Sequence, residues 1–153
     1  MIYADSSAIV KRYYAERGSD LLKSRWVTID RIFTSRVAYA EIHAALARKA
    51  RAGELSRDSF RTATSAFEQE WLAYDHIHVD EATLKEARSL VRRHPLRGFD
   101  AIHLSAALWL RAELGRPIEF WASDQRLEAA AKRERFTVVN PEAVNGRFGP
   151  RSS

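Results

Sequence analysis

Short apolar runs that alternate with helix-like stretches constrain the fold of this chain more than any other feature. The runs are "MIYA", "RIFTS", "HIHV", "PIEFWA" and "FTVVN", and each has the length and apolar character of a strand. Strands that alternate with helices predict a short central parallel sheet of four to five strands, with helices on both faces and right-handed crossovers. The predicted fold class is therefore α/β.

Helical spacing and helix boundary signals mark the stretches between these runs. Gly53 follows a group of basic residues, which is typical of a helix C-terminus, and Pro95 ends another helix that begins at Asp80. We assign Asp80 a structural role as the cap of that helix. The predicted helices cover residues 7–16, 19–26, 36–53, 57–73, 80–94, 98–114 and 124–134.

The composition indicates one domain. No shift in composition divides the 153 residues, so residues 1–145 are predicted to form a single domain. The last eight residues, "GRFGPRSS", are expected to form a flexible C-terminal tail. The chain has no cysteine, which excludes disulfides and cysteine-based zinc sites, and it has neither a signal peptide nor a long apolar span. We therefore expect a cytoplasmic protein.

Two acids follow predicted strands. In a parallel sheet with helices on both faces, ligands bind beyond the carboxyl ends of the strands. Asp5 follows the first strand and Asp124 follows the fourth, so both are expected at the functional edge. Either acid can instead cap the helix that comes next, and Ser123 is an alternative cap that would leave Asp124 free.

Two further acids lie on predicted helices. Asp100 opens the helix in "GFDAIHLSAAL", where a carboxylate commonly acts as a cap or interacts with the helix dipole. Glu41 is the only acid between residues 36 and 53, and a carboxylate among small apolar side chains is costly to bury without a compensating charge. The structural interpretation of Glu41 is an ion pair with Arg48 or another arginine.

Convergence of these four acids would require a counter-ion, because like charges a few ångströms apart raise one another's pKa. Oxygen ligands suit Mg²⁺ or Mn²⁺. The chain as a whole has a formal charge of +5, which favours a polyanionic partner such as nucleic acid. An acidic cluster in a basic protein is typical of a site for phosphodiester chemistry.

The motifs that carry these acids resemble those of PIN-domain ribonucleases, specifically the VapC-like toxins of type II toxin–antitoxin systems. "MIYADSSAIVKRYYAERGS" is similar to the family's first strand, acid and helix, and "VAYAEIHAAL" to its glutamate helix. "GFDAIHLSAAL" and "WASDQRL" are similar to its third and fourth acidic motifs, and "FTVVNP" to its last strand.

The resemblance implies a PIN-like three-layer sandwich and a Mg²⁺-dependent endoribonuclease, with Mn²⁺ as a substitute. It implies that Asp5, Glu41, Asp100 and Asp124 form the acidic site, with the three aspartates as metal ligands and Ser6 assisting them. It further implies an RNA substrate, a homodimer and a small cognate antitoxin. Basic residues near the motifs are candidate RNA contacts, with a solvated surface as the alternative: Lys11, Arg12, Arg97 and Arg126.

Three other functions are compatible with parts of the sequence. A metal-independent ribonuclease would use a pair of the five histidines, but none has a supporting motif, and we expect His103 to be a surface or boundary residue. A phosphotransfer protein would use Asp5 as its nucleophile. A non-catalytic nucleic-acid or protein-binding module of PIN-like fold would use the acids only as caps.

Trp109 and Trp121 are expected in the core, whereas Trp26 and Trp71 are candidate interface residues.

Overall fold

A five-stranded parallel sheet forms the centre of the protein, as seen in a computed structural model that describes residues 1–143. The strands are β1 (Ile2–Ala4), β2 (Ile32–Ser35), β3 (Asp75–Ile77), β4 (Glu119–Trp121) and β5 (Thr137–Val139). Their order across the sheet is β3-β2-β1-β4-β5, and all four neighbouring pairs are parallel. The predicted α/β class and strand number are confirmed.

Seven α-helices connect and cover the strands within the described part of the chain. They are α1 (Ser6–Ile9), α2 (Ser19–Trp26), α3 (Val37–Arg51), α4 (Arg57–Trp71), α5 (Glu81–Arg93), α6 (Gly98–Leu114) and α7 (Gln125–Arg133). None of the helices within residues 1–143 is long and apolar enough to cross a membrane. The predicted tail from residue 146, and the end of the predicted domain, lie outside the described residues.

The pleat of each strand divides the core into two layers. Ile2 and Ala4 pack with α1 to α4, whereas Tyr3, which points to the opposite face, packs with α5 to α7. Trp121 and Phe120 of β4 divide between the two layers in the same way. The sheet is therefore covered by helices on both faces, in three layers, as predicted.

The first helix is shorter than its sequence pattern predicts. It ends at Ile9, and a single 3-10 turn follows over Val10–Arg12. Beyond that turn, the Tyr13 ring packs against Phe67 of α4, and its hydroxyl hydrogen-bonds Tyr74 at 2.5 Å. These tertiary contacts take the place of the helical hydrogen bonds, since local propensity is a weaker determinant than packing.

The tryptophans occupy positions different from those expected. Trp26 and Trp71, the candidate interface residues, are buried in the layer formed by α1 to α4. Trp109, expected in the core, is 49% exposed on α6, whereas Trp121 is buried as expected. The apolar neighbours of Trp109 in the sequence belong to the buried face of α6, so an apolar stretch alone did not identify which face Trp109 occupies.

The strand order predicts a ligand-binding crevice between the carboxyl ends of β1 and β4. Chain connections leave β1 toward β2 on one side and arrive at β4 on the other side, so these neighbouring strands form a switch point where a crevice opens. The Asp5 backbone N–H donates to the Trp121 carbonyl at 3.0 Å. The segments that follow β1 and β4 are thereby held side by side at the carboxyl edge of the sheet.

Candidate active site

A cleft of about 590 Å³ opens at this edge of the sheet, and all four predicted acids line it. Asp5 follows β1, Glu41 lies on α3, Asp100 lies in the first turn of α6, and Asp124 precedes α7. The structure therefore brings together residues that are separated by up to 119 positions in the sequence. A larger groove of about 800 Å³ lies between residues 12–15 and helix α4 with the loop that precedes it, and none of the four predicted acids lines it.

Asp5 is the most buried of the four acids, with 3% of its surface exposed. Its Oδ1 accepts hydrogen bonds from the Ser7 hydroxyl at 2.8 Å and from the Ala8 N–H at 3.2 Å, so Asp5 is also the cap of α1. Burial raises the pKa of Asp5 to about 6, against the lowering effects of His103, Ser7 and Ala8, and Glu41 raises it further.

Ser7 joins the two halves of the edge. Its hydroxyl donates to Asp5 and accepts from the Ser123 N–H at 2.8 Å, which connects the turn after β1 to the turn after β4. Ser6, the predicted assisting residue, lines the cleft, but it makes no side-chain hydrogen bond to the described residues. The resemblance pointed to Ser6 and did not identify Ser7. The available signal was the position of Ser7 two residues after Asp5, from which its hydroxyl can reach the carboxylate.

Glu41 pairs with a histidine and not with an arginine. Its Oε2 lies 2.6 Å from His103 Nε2, and the other ring nitrogen of His103 lies 2.8 Å from the Tyr3 hydroxyl. The alternative interpretation, an ion pair of Glu41 with Arg48 or another arginine, is therefore wrong, although Arg48 lines the same cleft. The expectation that His103 lies at the surface or boundary is also wrong, because only 1% of it is exposed.

The environment of His103 favours its charged form. Burial lowers its pKa, but the hydrogen bond that it donates to Glu41 and the charges of Glu41, Asp5 and Asp100 raise it, and the net shift is upward. Three of the four predicted acids therefore act electrostatically on one buried imidazole. No sequence motif marked this histidine, and its position three residues after Asp100 was the only indication.

Asp100 and Asp124 form the other side of the cleft, and each also caps a helix. An oxygen of Asp100 accepts from the Arg97 N–H at 3.3 Å, and Asp124 Oδ1 accepts from the Leu127 N–H at 2.9 Å. Burial raises the pKa of Asp100, and the charge of Asp124 raises it further. Ser123 does not replace Asp124 as the cap, and its buried hydroxyl has no hydrogen-bond partner among the described residues.

The four candidate RNA contacts differ in their surroundings. Lys11 is 2% exposed, and its ammonium is paired with Glu16 and Glu142. Arg12 forms a two-pronged ion pair with Glu70 of α4. Lys11 and Arg12 therefore form internal ion pairs, which differs from the solvated surface given as the alternative to RNA contact. Arg97 is exposed at the rim of the cleft, whereas Arg126 is exposed on α7 and does not line it.

The donor set of the cleft fits a hard divalent cation. Six acidic and four basic side chains line the cleft, so its formal charge is −2 in a chain of charge +5. Within residues 1–143, no group of three or more histidine, aspartate or glutamate side chains is positioned to hold a metal ion. Mg²⁺ commonly binds through one or two carboxylates and several waters, a mode that such spacing allows.

Comparison with known proteins gives consistent matches. The family described as "PIN domain" matches residues 2–133. Ribonuclease VapC45 of Mycobacterium tuberculosis is 36% identical over 131 residues, which are 86% of this chain and 89% of the relative. A toxin–antitoxin complex from Klebsiella pneumoniae contains a similar fold, with a TM-score of 0.65 at 13% identity, covering 92% of this chain and 98% of the matched one. FitAcB from Neisseria gonorrhoeae gives a TM-score of 0.67 at 14% identity and covers 94% and 100%.

Proposed function

The chain belongs to the PIN-domain family, and on that premise we propose that it is an endoribonuclease that hydrolyses RNA phosphodiester bonds. The observation that carries this proposal is the convergence of Asp5, Glu41, Asp100 and Asp124 on one cleft. The similarity to Ribonuclease VapC45, at 36% identity over most of both chains, supports the same reaction. We assign the four acids as the catalytic residues.

A divalent cation, Mg²⁺ or Mn²⁺, is the proposed cofactor. Asp5, Asp100 and Asp124 would hold it, because they supply anionic oxygens on both sides of the cleft. When bound, it would supply Lewis-acid activation of water and of the scissile phosphate. The raised pKa values of Asp5 and Asp100 indicate that these sites gain most from a neighbouring positive charge.

The remaining groups orient the reactants. Glu41 Oε2 is occupied by His103, so Oε1 is the oxygen that remains to orient the attacking water and accept its proton. Ser7 holds Asp5 against the turn that carries Asp124. Arg97 at the rim would contact an RNA phosphate, and exposed Arg126 would contact the strand further along. Internal ion pairs argue against such contacts by Lys11 and Arg12.

We also propose that the protein is the toxin of a toxin–antitoxin pair and forms a homodimer. The fold shared with a Klebsiella pneumoniae toxin–antitoxin complex and the identity to a VapC ribonuclease support an antitoxin partner of the same kind. Exposed apolar side chains on α5 and α6, including Leu84, Val91 and Trp109, are consistent with burial in an assembly. Light scattering of the purified protein measures its mass in solution.

Cleavage of a mixed RNA pool tests the proposed reaction. We expect endonucleolytic products with Mg²⁺ or Mn²⁺, none with EDTA, and none from Asp100→Asn with the fold retained. Asp80→Asn is the matched control, since Asp80 caps α5 through the Thr83 N–H and does not line the cleft. Cleavage that survives EDTA would favour histidine acid–base chemistry, and RNA binding without cleavage would favour a non-catalytic module.

A further inference from the structure

A chain of polar groups runs from the sheet to Glu41 through the core. The Tyr3 hydroxyl lies 2.8 Å from His103 Nδ1, and His103 Nε2 lies 2.6 Å from Glu41 Oε2. Tyr3 is 0% exposed and His103 is 1% exposed. Most buried polar side chains in proteins are hydrogen-bonded, and these two contacts join Tyr3, His103 and Glu41 into one connected unit.

The direction of each hydrogen bond follows from its end. A carboxylate oxygen accepts, so His103 Nε2 carries the hydrogen that lies between it and Glu41 Oε2. A neutral imidazole with its proton on Nε2 accepts at Nδ1, so the Tyr3 hydroxyl donates to His103 Nδ1. Burial, reinforced by the charge of Asp5, raises the pKa of Tyr3 well above its ordinary value, which keeps the phenolic hydrogen in place.

We propose that Tyr3 and His103 are positioning residues that keep an N–H donor permanently aimed at Glu41 Oε2 and thereby hold Oε1 toward the cleft. The donor is present in both protonation states of the imidazole, because the charged form carries a proton on each nitrogen. The other charged groups that act on His103 are Asp5 and Asp100, and neither removes the Nε2 proton. The orientation of Glu41 is therefore independent of the charge on His103.

The packing of Tyr3 allows a selective test. Its ring stacks on Phe120 with 5.3 Å between centroids, so Tyr3→Phe keeps the core and removes only the hydroxyl. Tyr74→Phe is the matched control, because Tyr74 is a buried tyrosine whose hydroxyl bonds Tyr13 and Glu70, away from the cleft. His103→Gln retains an amide donor in the region of Nε2, whereas His103→Leu removes it.

Nitrogen NMR of the histidine rings tests the inference without any activity. We expect His103 Nε2 to be protonated at every pH from about 6 to 9 in the protein with Asp100→Asn or without it. We expect Tyr3→Phe to shift the Nδ1 resonance of the neutral ring, because Nδ1 loses the hydrogen bond from the Tyr3 hydroxyl. A neutral His103 that carries its proton on Nδ1, or an unchanged spectrum in Tyr3→Phe, would overturn the inference.

Kinetics then test the consequence, which rests on the proposed ribonuclease function. We expect Tyr3→Phe and His103→Leu to lower kcat about 10- to 100-fold with little change in KM, as for other groups that orient a site residue, and His103→Gln to recover part of the loss. In the Glu41→Ala background, Tyr3→Phe should have no further effect on the residual rate. Additive losses, or equal losses in Tyr74→Phe, would show a merely structural role. A protein that cleaves no RNA but shows the expected spectra would refute the proposed function alone.

Discussion

Asp5 has two opposing effects on the free energy of unfolding: it caps a helix, which stabilises the fold, and its buried charge destabilises it. It caps α1 through Oδ1, yet its carboxylate is buried, and burial raises its pKa from 3.8 to about 6. A group whose pKa is higher in the folded protein stabilises the fold at low pH, and this contribution is lost as the pH rises through the folded value. The ionised Asp5 that the proposed metal site requires therefore costs stability at neutral pH.

Asp5→Asn is expected to stabilise the metal-free protein at high pH. Asn can accept the same hydrogen bonds from Ser7 and Ala8 and carries no buried charge. The shift of the Asp5 pKa to about 6 corresponds to about 3 kcal/mol at most, so we expect a gain of about 1–3 kcal/mol at pH 8 and little change at pH 4. Urea unfolding in EDTA at both values measures it.

Asp80 serves as a comparison because its pKa is shifted in the direction opposite to that of Asp5. Asp80 caps the exposed start of α5, and its hydrogen bonds from Thr83 lower its pKa. Asp80→Asn should therefore lose stability at pH 8 relative to pH 4, whereas Asp5→Asn should gain it. If the two variants change stability in the same direction with pH, the burial of Asp5 is not the cause.

At the scale of single residues, the sequence predicted the acids but not their supporting groups. Asp5 and Asp124 could be found because the carboxyl end of a strand is a position that local pattern reveals. The contact of His103 with Glu41 spans 62 residues and that with Tyr3 spans 100, and no local pattern encodes such distances. Tyr3 itself fits an apolar run, so its hydroxyl carries no signal of its own.

At the scale of the element, the N-terminus of α6 combines a proposed metal ligand, Asp100, with a proposed RNA contact, Arg97. Asp100 faces the cleft, while Arg97 and Phe99 are exposed at its rim, with Phe99 56% exposed. A cation and an aromatic ring beside a catalytic carboxylate are suited to a phosphate and a stacked base. Helix capping at Asp100 does not exclude the proposed metal binding, because Oδ2 accepts from the Arg97 N–H and Oδ1 makes no hydrogen bond to the described residues.

Arg97→Ala is expected to weaken RNA binding through a single lost phosphate contact. On a catalytically inactive Asp100→Asn background, the dependence of log affinity on log salt should decrease by about one charge. Arg116→Ala is the control, since exposed Arg116 contacts Met1 at 3.3 Å and does not line the cleft. An unchanged salt dependence in Arg97→Ala would remove Arg97 from the RNA path.

The start of α2 depends on one close backbone approach. Gly18 has φ 88°, and a Cβ atom there would lie 2.6 Å from the carbonyl carbon and oxygen of Pro141. This contact places Glu142 beside Lys11, so the segment after β5 closes one wall of the cleft. The sequence marked Gly18 only as a separator between helices, because the approach of a segment more than 120 residues away leaves no local trace.

Gly18→Ala should therefore destabilise the protein more than a matched glycine variant. Gly53 also has a positive φ, of 76°, but a Cβ there meets nothing within 4 Å. Gly53→Ala should cost only the left-handed backbone strain, about 1–2 kcal/mol, and Gly18→Ala should cost that plus the displacement of Pro141. Thermal unfolding of both variants measures the difference, and equal losses would show that the contact carries no energy.

At the scale of the whole molecule, charge is divided between surface and cleft. The chain carries +5 overall, while the side chains that line the cleft sum to −2. A positive exterior attracts RNA over long distances, but the cleft repels a phosphate until a cation neutralises it. The composition gives the net charge directly. The negative charge of the cleft could not be predicted in this way, because it depends on which helices the strand order brings together.

The negative charge of the cleft predicts that divalent cations stabilise the folded protein. Mg²⁺ or Mn²⁺ should raise the Tm of the unmodified protein in a concentration-dependent way, because a ligand that binds only the folded state stabilises it by mass action. Asp5→Asn should start from a higher Tm in EDTA at pH 8 and respond much less to the cation, since it lacks one anionic ligand. Asp80→Asn should respond as fully as the unmodified protein, which separates a site in the cleft from general charge screening. A Tm that responds equally in all three proteins, or that responds as strongly to the same ionic strength of NaCl, would show that the acids of the cleft do not form a metal site.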